Sequence, residues 1–384
     1  MGRRRTTLVV LFLVISLLAT CRAGQIPTFG GGQPKAQEAE SEFAGPIQIV
    51  MSSAQPLPEP LLNGAVAVPG VLAAGSRTSG LTDLRGLDGA DKPLKPRPAG
   101  AVIPLSFVGA SPPVLEAFPT LEASAETLKK GEAVLPHESA AFRGLDVGDT
   151  MHLGKGSLVK TIRIGSVTDA VTGYRAEVIL PEEVAKELGS PSVRTLVLAV
   201  DPKLARGAEG TLRDIIGTLP VRIRSTSVGP RRGGGLLSLL ELKYIFGEFW
   251  YRALQGGRLA LDPEWVNENI VYAQVPLLGE VRCHRKIIPQ LTNAMAELER
   301  KGLGDLVKTY DGCYSPRMQV GNSAALSRHA FGVAVDVNAQ SNPFGSPPTL
   351  DSRVVSVMQR WGFAWGGSWS VPDGMHFEFV RLEN

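Results

Sequence analysis

Ser327-Arg328-His329-Ala330-Phe331-Gly332-Val333-Ala334-Val335-Asp336-Val337 and, further along, Asp373-Gly374-Met375-His376-Phe377-Glu378-Phe379 decide how this 384-residue chain is read. Both stretches alternate with a period of two, as strands do. Val333, Val335 and Val337 fall on one face, Ala334 and Asp336 on the other. Met375, Phe377 and Phe379 likewise oppose His376 and Glu378. The apolar faces are expected to pack on helices, and the polar faces to look outward. If the two strands are neighbours in one sheet, Asp336 and His376 meet. His329 precedes the first strand, on a loop that must turn back over the sheet, and Gly332, lacking a Cβ, permits that turn.

The chain has only five His, so two imidazoles and two carboxylates gathered here carry weight. His329, Asp336 and His376 would give a zinc ion three protein ligands and leave one position open, the pattern of a catalytic rather than a structural site. Asp373, on the turn entering the second strand, is the candidate general base and acid. Arg317, in Cys313-Tyr314-Ser315-Pro316-Arg317, is the candidate cation for charge developing on an attacked carbonyl. Ser327, Trp365 and Trp369 are expected at a substrate groove, and Glu378 as an outer partner or surface residue. His284 is set aside as a ligand, since a fourth protein donor would close the site.

The surroundings of these strands suggest an α+β domain over residues 238–384. Lys286 to Arg300 places Ile288, Leu291, Met295 and Leu298 on one helical face, with Gly302 past its end. A second helix runs from Ser352 to Trp361, with Asp351 as N-cap and Gly362 as C-cap. The expected product is a small antiparallel sheet flanked by helices. Gly229-Pro230-Arg231-Arg232-Gly233-Gly234-Gly235 marks a Gly-rich linker, 229–237. Before it, residues 99–228 read as a separate α+β or α/β domain. Lys160–Ile164, Arg175–Leu180, Arg194–Val200 and Val221–Arg224 are its strands. Pro181 to Gly189 and Lys203 to Ile216 are its helices. His137 and His152 lack metal-ligand spacing and are expected to be ordinary residues. Residues 24–98, with Pro56-Leu57-Pro58-Glu59-Pro60 and Lys92-Pro93-Leu94-Lys95-Pro96-Arg97-Pro98, read as an unstructured Pro/Gly-rich linker whose Leu and Val could dock locally.

Residues 1–23 have the form of an export signal: Arg3-Arg4-Arg5, then an apolar run from Leu8 to Leu18 too short to span a bilayer. Leu18-Ala19-Thr20-Cys21 resembles a lipobox, which would put a lipid and a membrane anchor on Cys21; cleavage after Ala23 is the competing reading. In an oxidising compartment Cys283 and Cys313 become a candidate disulfide closing a loop of about 30 residues, a size that stabilises by roughly 3–4 kcal/mol. The formal charge of +3 gives no case for nucleic acid as a partner.

The run from Val281-Arg282-Cys283-His284-Arg285 through SRHAFGVAVDVN and WGFAWGGSW to DGMHFEF resembles the VanY-type D-alanyl-D-alanine carboxypeptidase family, over residues 240–380. The family includes D-Ala-D-Ala dipeptidases and endolysins that cut L-alanyl-D-glutamate bonds. The resemblance implies zinc on His329, Asp336 and His376, with Asp373 as acid/base where many members carry Glu, and Arg317 as the intermediate-stabilising Arg. It implies a secreted or surface-anchored bacterial peptidase acting on the peptide stems of peptidoglycan, as a D-Ala-D-Ala carboxypeptidase. The alternatives are an L-alanyl-D-glutamate-type endopeptidase or a non-catalytic zinc-bearing wall-binding or regulatory protein. Separately, Glu132 to Ser166, with Gly148-Asp149-Thr150, resembles the extracytoplasmic domains of MacB-type ABC permeases. That resemblance implies a binding or mechanical module, with an envelope protein as its partner.

Overall fold

A computed structural model describes residues 45–171, 174–189, 193–227 and 235–381. The export signal, Cys21 and most of the Gly-rich linker lie outside the described residues. Within them the chain is α+β throughout, and its C-terminal part carries the small helix-flanked antiparallel sheet.

The expectation that 24–98 is an unstructured linker fails from Ile47 onward. Ile47–Ser53 is an inner strand, paired antiparallel to both Val221–Ser227 and Thr195–Val200. With Val71–Ser76 on the far side of Thr195–Val200, these form a four-stranded antiparallel sheet. Helices Glu59–Val66 and Ala205–Ile216 connect the strands as two interlocked split βαβ units. Ile49, Met51, Leu198 and Val200 are fully buried, in one cluster with the helix residues Leu61, Ala65, Ala208 and Leu212. The prolines punctuate this structure and do not dissolve it: Pro58 and Pro60 begin the first helix, where a missing N–H costs nothing. The accessory unit therefore begins near residue 47, not 99.

Between Val71–Ser76 and Thr195–Val200 the chain builds a closed six-stranded barrel. Its strand order is Thr78–Asp88, Pro104–Ala110, Val178–Pro181, Ala133–Leu135, Leu158–Val167, Thr150–Lys155. Two of its pairings are parallel and the rest antiparallel. Leu84, Leu105, Phe107, Met151 and Ile164 are among the side chains that fill it. Helix Glu182–Leu188 starts after Pro181 and ends at Gly189, as the sequence predicts.

In the C-terminal part, strands Tyr310–Gly312, Ala334–Val337, His376–Phe379 and Phe363–Trp365 lie in that order, all antiparallel. Helices Ile288–Arg300 and Ser352–Arg360 supply Leu291, Met295, Leu298, Val354 and Met358 to the core that holds Val333, Val335, Val337, Phe377 and Phe379. Asp351 caps the second helix through its side chain, and Gly302 and Gly362 take left-handed backbone conformations after the two helices. Leu237, expected to end the flexible linker, is buried in this core.

The barrel and the C-terminal part share a buried cluster of two cations and two anions. Lys243 lies 2.7 Å from Glu177 and 2.9 Å from Glu248. Arg143 lies 3.1 Å from Glu177 and 2.6 Å from Glu248. Val102 and Tyr251 exchange a pair of backbone hydrogen bonds across the same junction. Among the described residues no helix is long and apolar enough to cross a membrane.

Candidate metal centre

Local sequence fixes each functional side chain in turn. Asp336 and His376 are directly opposite in the antiparallel ladder, so their side chains emerge on the same face. His329 sits on a single 3-10 turn, Arg328–Phe331, which Ser327 opens by accepting from the His329 N–H. Gly332 closes that turn at φ +66°. A Cβ there would stand 2.9 Å from the backbone nitrogen of His284, which donates to the Gly332 carbonyl. The disulfide Cys283–Cys313, with Cα atoms 5.4 Å apart, holds the neighbouring loop.

The cluster that results is tight. His329 Nε2, Asp336 and His376 Nδ1 bring ligand atoms within 4.8 Å of one another. Nε2 of His329 is 3.1 Å from Asp336 Oδ2 and 3.2 Å from His376 Nδ1, which is itself 3.0 Å from Asp336 Oδ1.

Proton placement follows from the outer contacts. His329 Nδ1 is 2.7 Å from the Cys313 carbonyl, which only accepts, so the ring proton belongs on Nδ1. His376 Nε2 is 3.2 Å from Glu378 Oε2, a carboxylate that takes the Nε2 proton. The lone pairs of His329 Nε2 and His376 Nδ1 then face each other and the Asp336 carboxylate. Three acceptors with no proton among them repel, and a divalent cation removes the repulsion. The residues therefore fit a metal, with both imidazoles oriented by second hydrogen bonds as metal-ligating His usually are. Without a metal, a proton takes the same place. Burial alone would lower the His376 imidazole, but Asp336 and Glu378 on its two nitrogens push it up to about 9. Burial likewise opposes ionisation of Asp336, yet His329 and His376 hold its carboxyl below the ordinary carboxylate range.

Asp373 stands on the turn before His376, and its carbonyl accepts from the His376 N–H. Its Oδ1 is buried without a hydrogen-bond partner in the protein. Burial pushes its carboxyl up, and Arg317 is among the charges that oppose the rise. The loop bearing Arg317 is tied down twice: Leu259 donates to the Pro316 carbonyl, and Ser327 to that of Arg317.

The contacts of three of these residues are as follows. Ser327, expected at the groove, is buried and spends its hydroxyl on capping the His329 turn. Trp365 donates its Nε1–H to the Gly374 carbonyl at 2.9 Å and braces the turn that carries Asp373. Glu378, expected as an outer partner or a surface residue, is an outer partner: it is buried between His376 and Arg328, whose Nε lies 3.4 Å away. Trp369 does border the cluster, its ring 5.2 Å from that of His376. His284 is buried away from it, with Nε2 toward the Phe246 carbonyl, and burial lowers its imidazole to about 4. His137 and His152 pair with Asp169 and Asp88. The Cys313 carbonyl was not readable as a site group, because backbone atoms leave no mark in a sequence.

The sheet thus gathers a three-residue donor set of the kind that holds a metal ion. Residues 321–379 match the family model described as D-alanyl-D-alanine carboxypeptidase, a stretch that holds His329, Asp336, Asp373 and His376. Comparison with curated proteins finds no match. Among solved structures the chain is similar to the extracellular domain of the noncanonic ABC-type transporter YknZ from Gram-positive bacteria. The TM-score is 0.28 and the identity 12%, covering 47% of this chain and 99% of that one, a likeness too slight to bear on the fold.

Proposed function

We propose that the protein is an exported zinc peptidase that hydrolyses an amide bond in peptidoglycan stem peptides, with release of a terminal D-alanine as its reaction. The observation that carries this reading is the set of three facing lone-pair donors beside a buried carboxyl whose Oδ1 lacks a partner. Zinc held by His329, Asp336 and His376 would supply a Lewis acid and a water acidified toward neutrality. Asp373 takes the proton of the attacking water on its carboxylate and returns it to the leaving amine nitrogen. Arg317 offers positive charge to the carbonyl oxygen as that oxygen becomes negative. Trp369 forms a wall beside His376 against which the substrate chain lies. The Cys283–Cys313 disulfide supports an oxidising location. The N-terminal sheet and barrel would serve an envelope partner, with any lipid on Cys21 keeping the whole at the membrane.

The test is mass spectrometry of products from stem pentapeptides and purified muropeptides. Free D-alanine is expected, lost on chelation and restored by zinc. Asp373→Ala should fall by about 10²–10⁴-fold, the usual worth of a general acid–base group, with an unchanged circular dichroism spectrum. Full activity in that variant sinks the mechanism. Cleavage between L-alanine and D-glutamate would assign the endopeptidase reading, and inert zinc-loaded protein the binding one.

A further inference from the structure

A cleft of about 460 Å³ opens at the junction of the barrel and the C-terminal part, and no metal-cluster residue lines it. We propose that it is a second binding site, for a small organic anion with a flat apolar body.

Arg143, only 4% exposed, forms part of the wall. Its Nη1 and Nη2 are taken by Glu248 and Glu177. Its Nε is buried with no partner in the protein. A buried N–H left without an acceptor is costly, so this wall carries a donor that the fold leaves unanswered. Around the cleft, Lys92, Lys95, Arg285 and Lys286 are exposed cations. The carboxylates of the wall are mostly committed: Glu248 binds Arg143 and Lys243, and Asp262 caps the helix Pro263–Asn269. Glu268 is exposed, and Glu264 stands 3.9 Å from Lys95. Asp262 keeps its charge while it caps, so with Glu264 and Glu268 three carboxylates face four rim cations, a surplus of one positive charge. This surplus is concentrated on one cleft of a chain whose formal charge is only +3. The opposite requirement, apolar surface, is met by Phe142 and Tyr244, whose rings pair at 5.4 Å, and by Trp250. The volume lies within the usual range for small-ligand sites, about 300–1,000 Å³.

The experiment is isothermal titration of the full chain with phthalate and, as a plain anion, inorganic phosphate. Saturable phthalate binding is expected, with phosphate at least about tenfold weaker. The double variant Lys92→Glu/Arg285→Glu reverses one charge on each wall and should weaken phthalate by about tenfold or more while keeping its melting temperature. Tyr244→Ala should weaken phthalate and leave phosphate unchanged. Zinc-loaded and chelator-treated protein should bind alike. No saturable binding, an unchanged affinity in the double variant, or loss of binding on chelation overturns the site. Phosphate binding as tightly as phthalate overturns the flat-body requirement.

Discussion

Glu378 is the residue whose replacement tests the proton placement at the metal cluster. Its carboxylate is buried, accepts from His376 Nε2 at 3.2 Å, and faces Arg328 Nε at 3.4 Å. Glu378→Gln keeps the volume and removes the charge. If the new amide turns its NH₂ toward His376, the imidazole proton must move to Nδ1, the atom that faces Asp336 and His329, and one donor is lost. If it turns its oxygen, the tautomer survives, but a charge-assisted bond becomes a neutral one of about half the strength. Arg328 loses its carboxylate in either case. Outer partners of ligating His typically contribute about 10–100-fold to metal affinity, or about 1.4–2.8 kcal/mol. The upper half of that range is expected, because one carboxylate serves both His376 and Arg328. Competition with a chromophoric zinc chelator at fixed pH measures it, with circular dichroism as the control for folding. An affinity within about twofold of the parent would refute the assigned tautomers.

The remaining predictions concern the junction and the turn. Lys243→Met should cost up to about 3–5 kcal/mol, since it leaves Glu177 and Glu248 to share Arg143 as their one cation, whereas adding Glu177→Gln should restore much of the loss. Urea midpoints report both, and strictly additive effects would show that the four charges are not a network. Burial alone would push the Glu248 carboxyl up, yet Lys243 and Arg143 hold it at about 2 against an ordinary 4.5. A depressed folded-state value contributes stability above pH 4.5 that is lost as pH falls toward 2. The size is about 3 kcal/mol; acid titration of Glu248→Gln should show a correspondingly shallower loss, and an identical profile would count against it. Gly332→Ala places a methyl at φ +66° and 2.9 Å from the His284 nitrogen. It should cost about 1–3 kcal/mol and weaken zinc binding, so unchanged melting and affinity would contradict the account of the turn.

The metal strands were legible because their faces differ in kind: valines and phenylalanines on one side, ligand-type residues on the other. Caps such as Asp351, Gly302 and Gly362 were legible for the same reason, since each signal is local. Ile47–Ser53 was not. Its partners Thr195–Val200 and Val221–Ser227 lie far along the chain, while the prolines that follow it are adjacent and dominate any local reading. Trp365 and Ser327 were misplaced because both carry groups that suit a groove equally well as they suit a turn. Only the three-dimensional neighbourhood shows the Gly374 carbonyl waiting for the indole and the His329 N–H waiting for the hydroxyl. The charges at the junction were invisible as a cluster, since Arg143, Glu177, Lys243 and Glu248 come from four separate segments.

The placement of the barrel has a consequence for how the chain tolerates change. Val71–Ser76 and Thr195–Val200 are paired neighbours, with Ser76 opposite Leu196 and the Arg77 N–H bonded to the Thr195 carbonyl. From the sheet's side, everything between them is one hairpin connection, however long. Closure entropy rises only slowly with the length of such a connection, so the length of the insert is a weak constraint on the sheet, while the inserted segment must still cover Val197 and Ala199, which are buried against it. The barrel's contacts with the C-terminal part set a different condition. An exchanged module must still present a guanidinium and a carboxylate to Lys243 and Glu248, and this pair of partners limits which barrels could take its place.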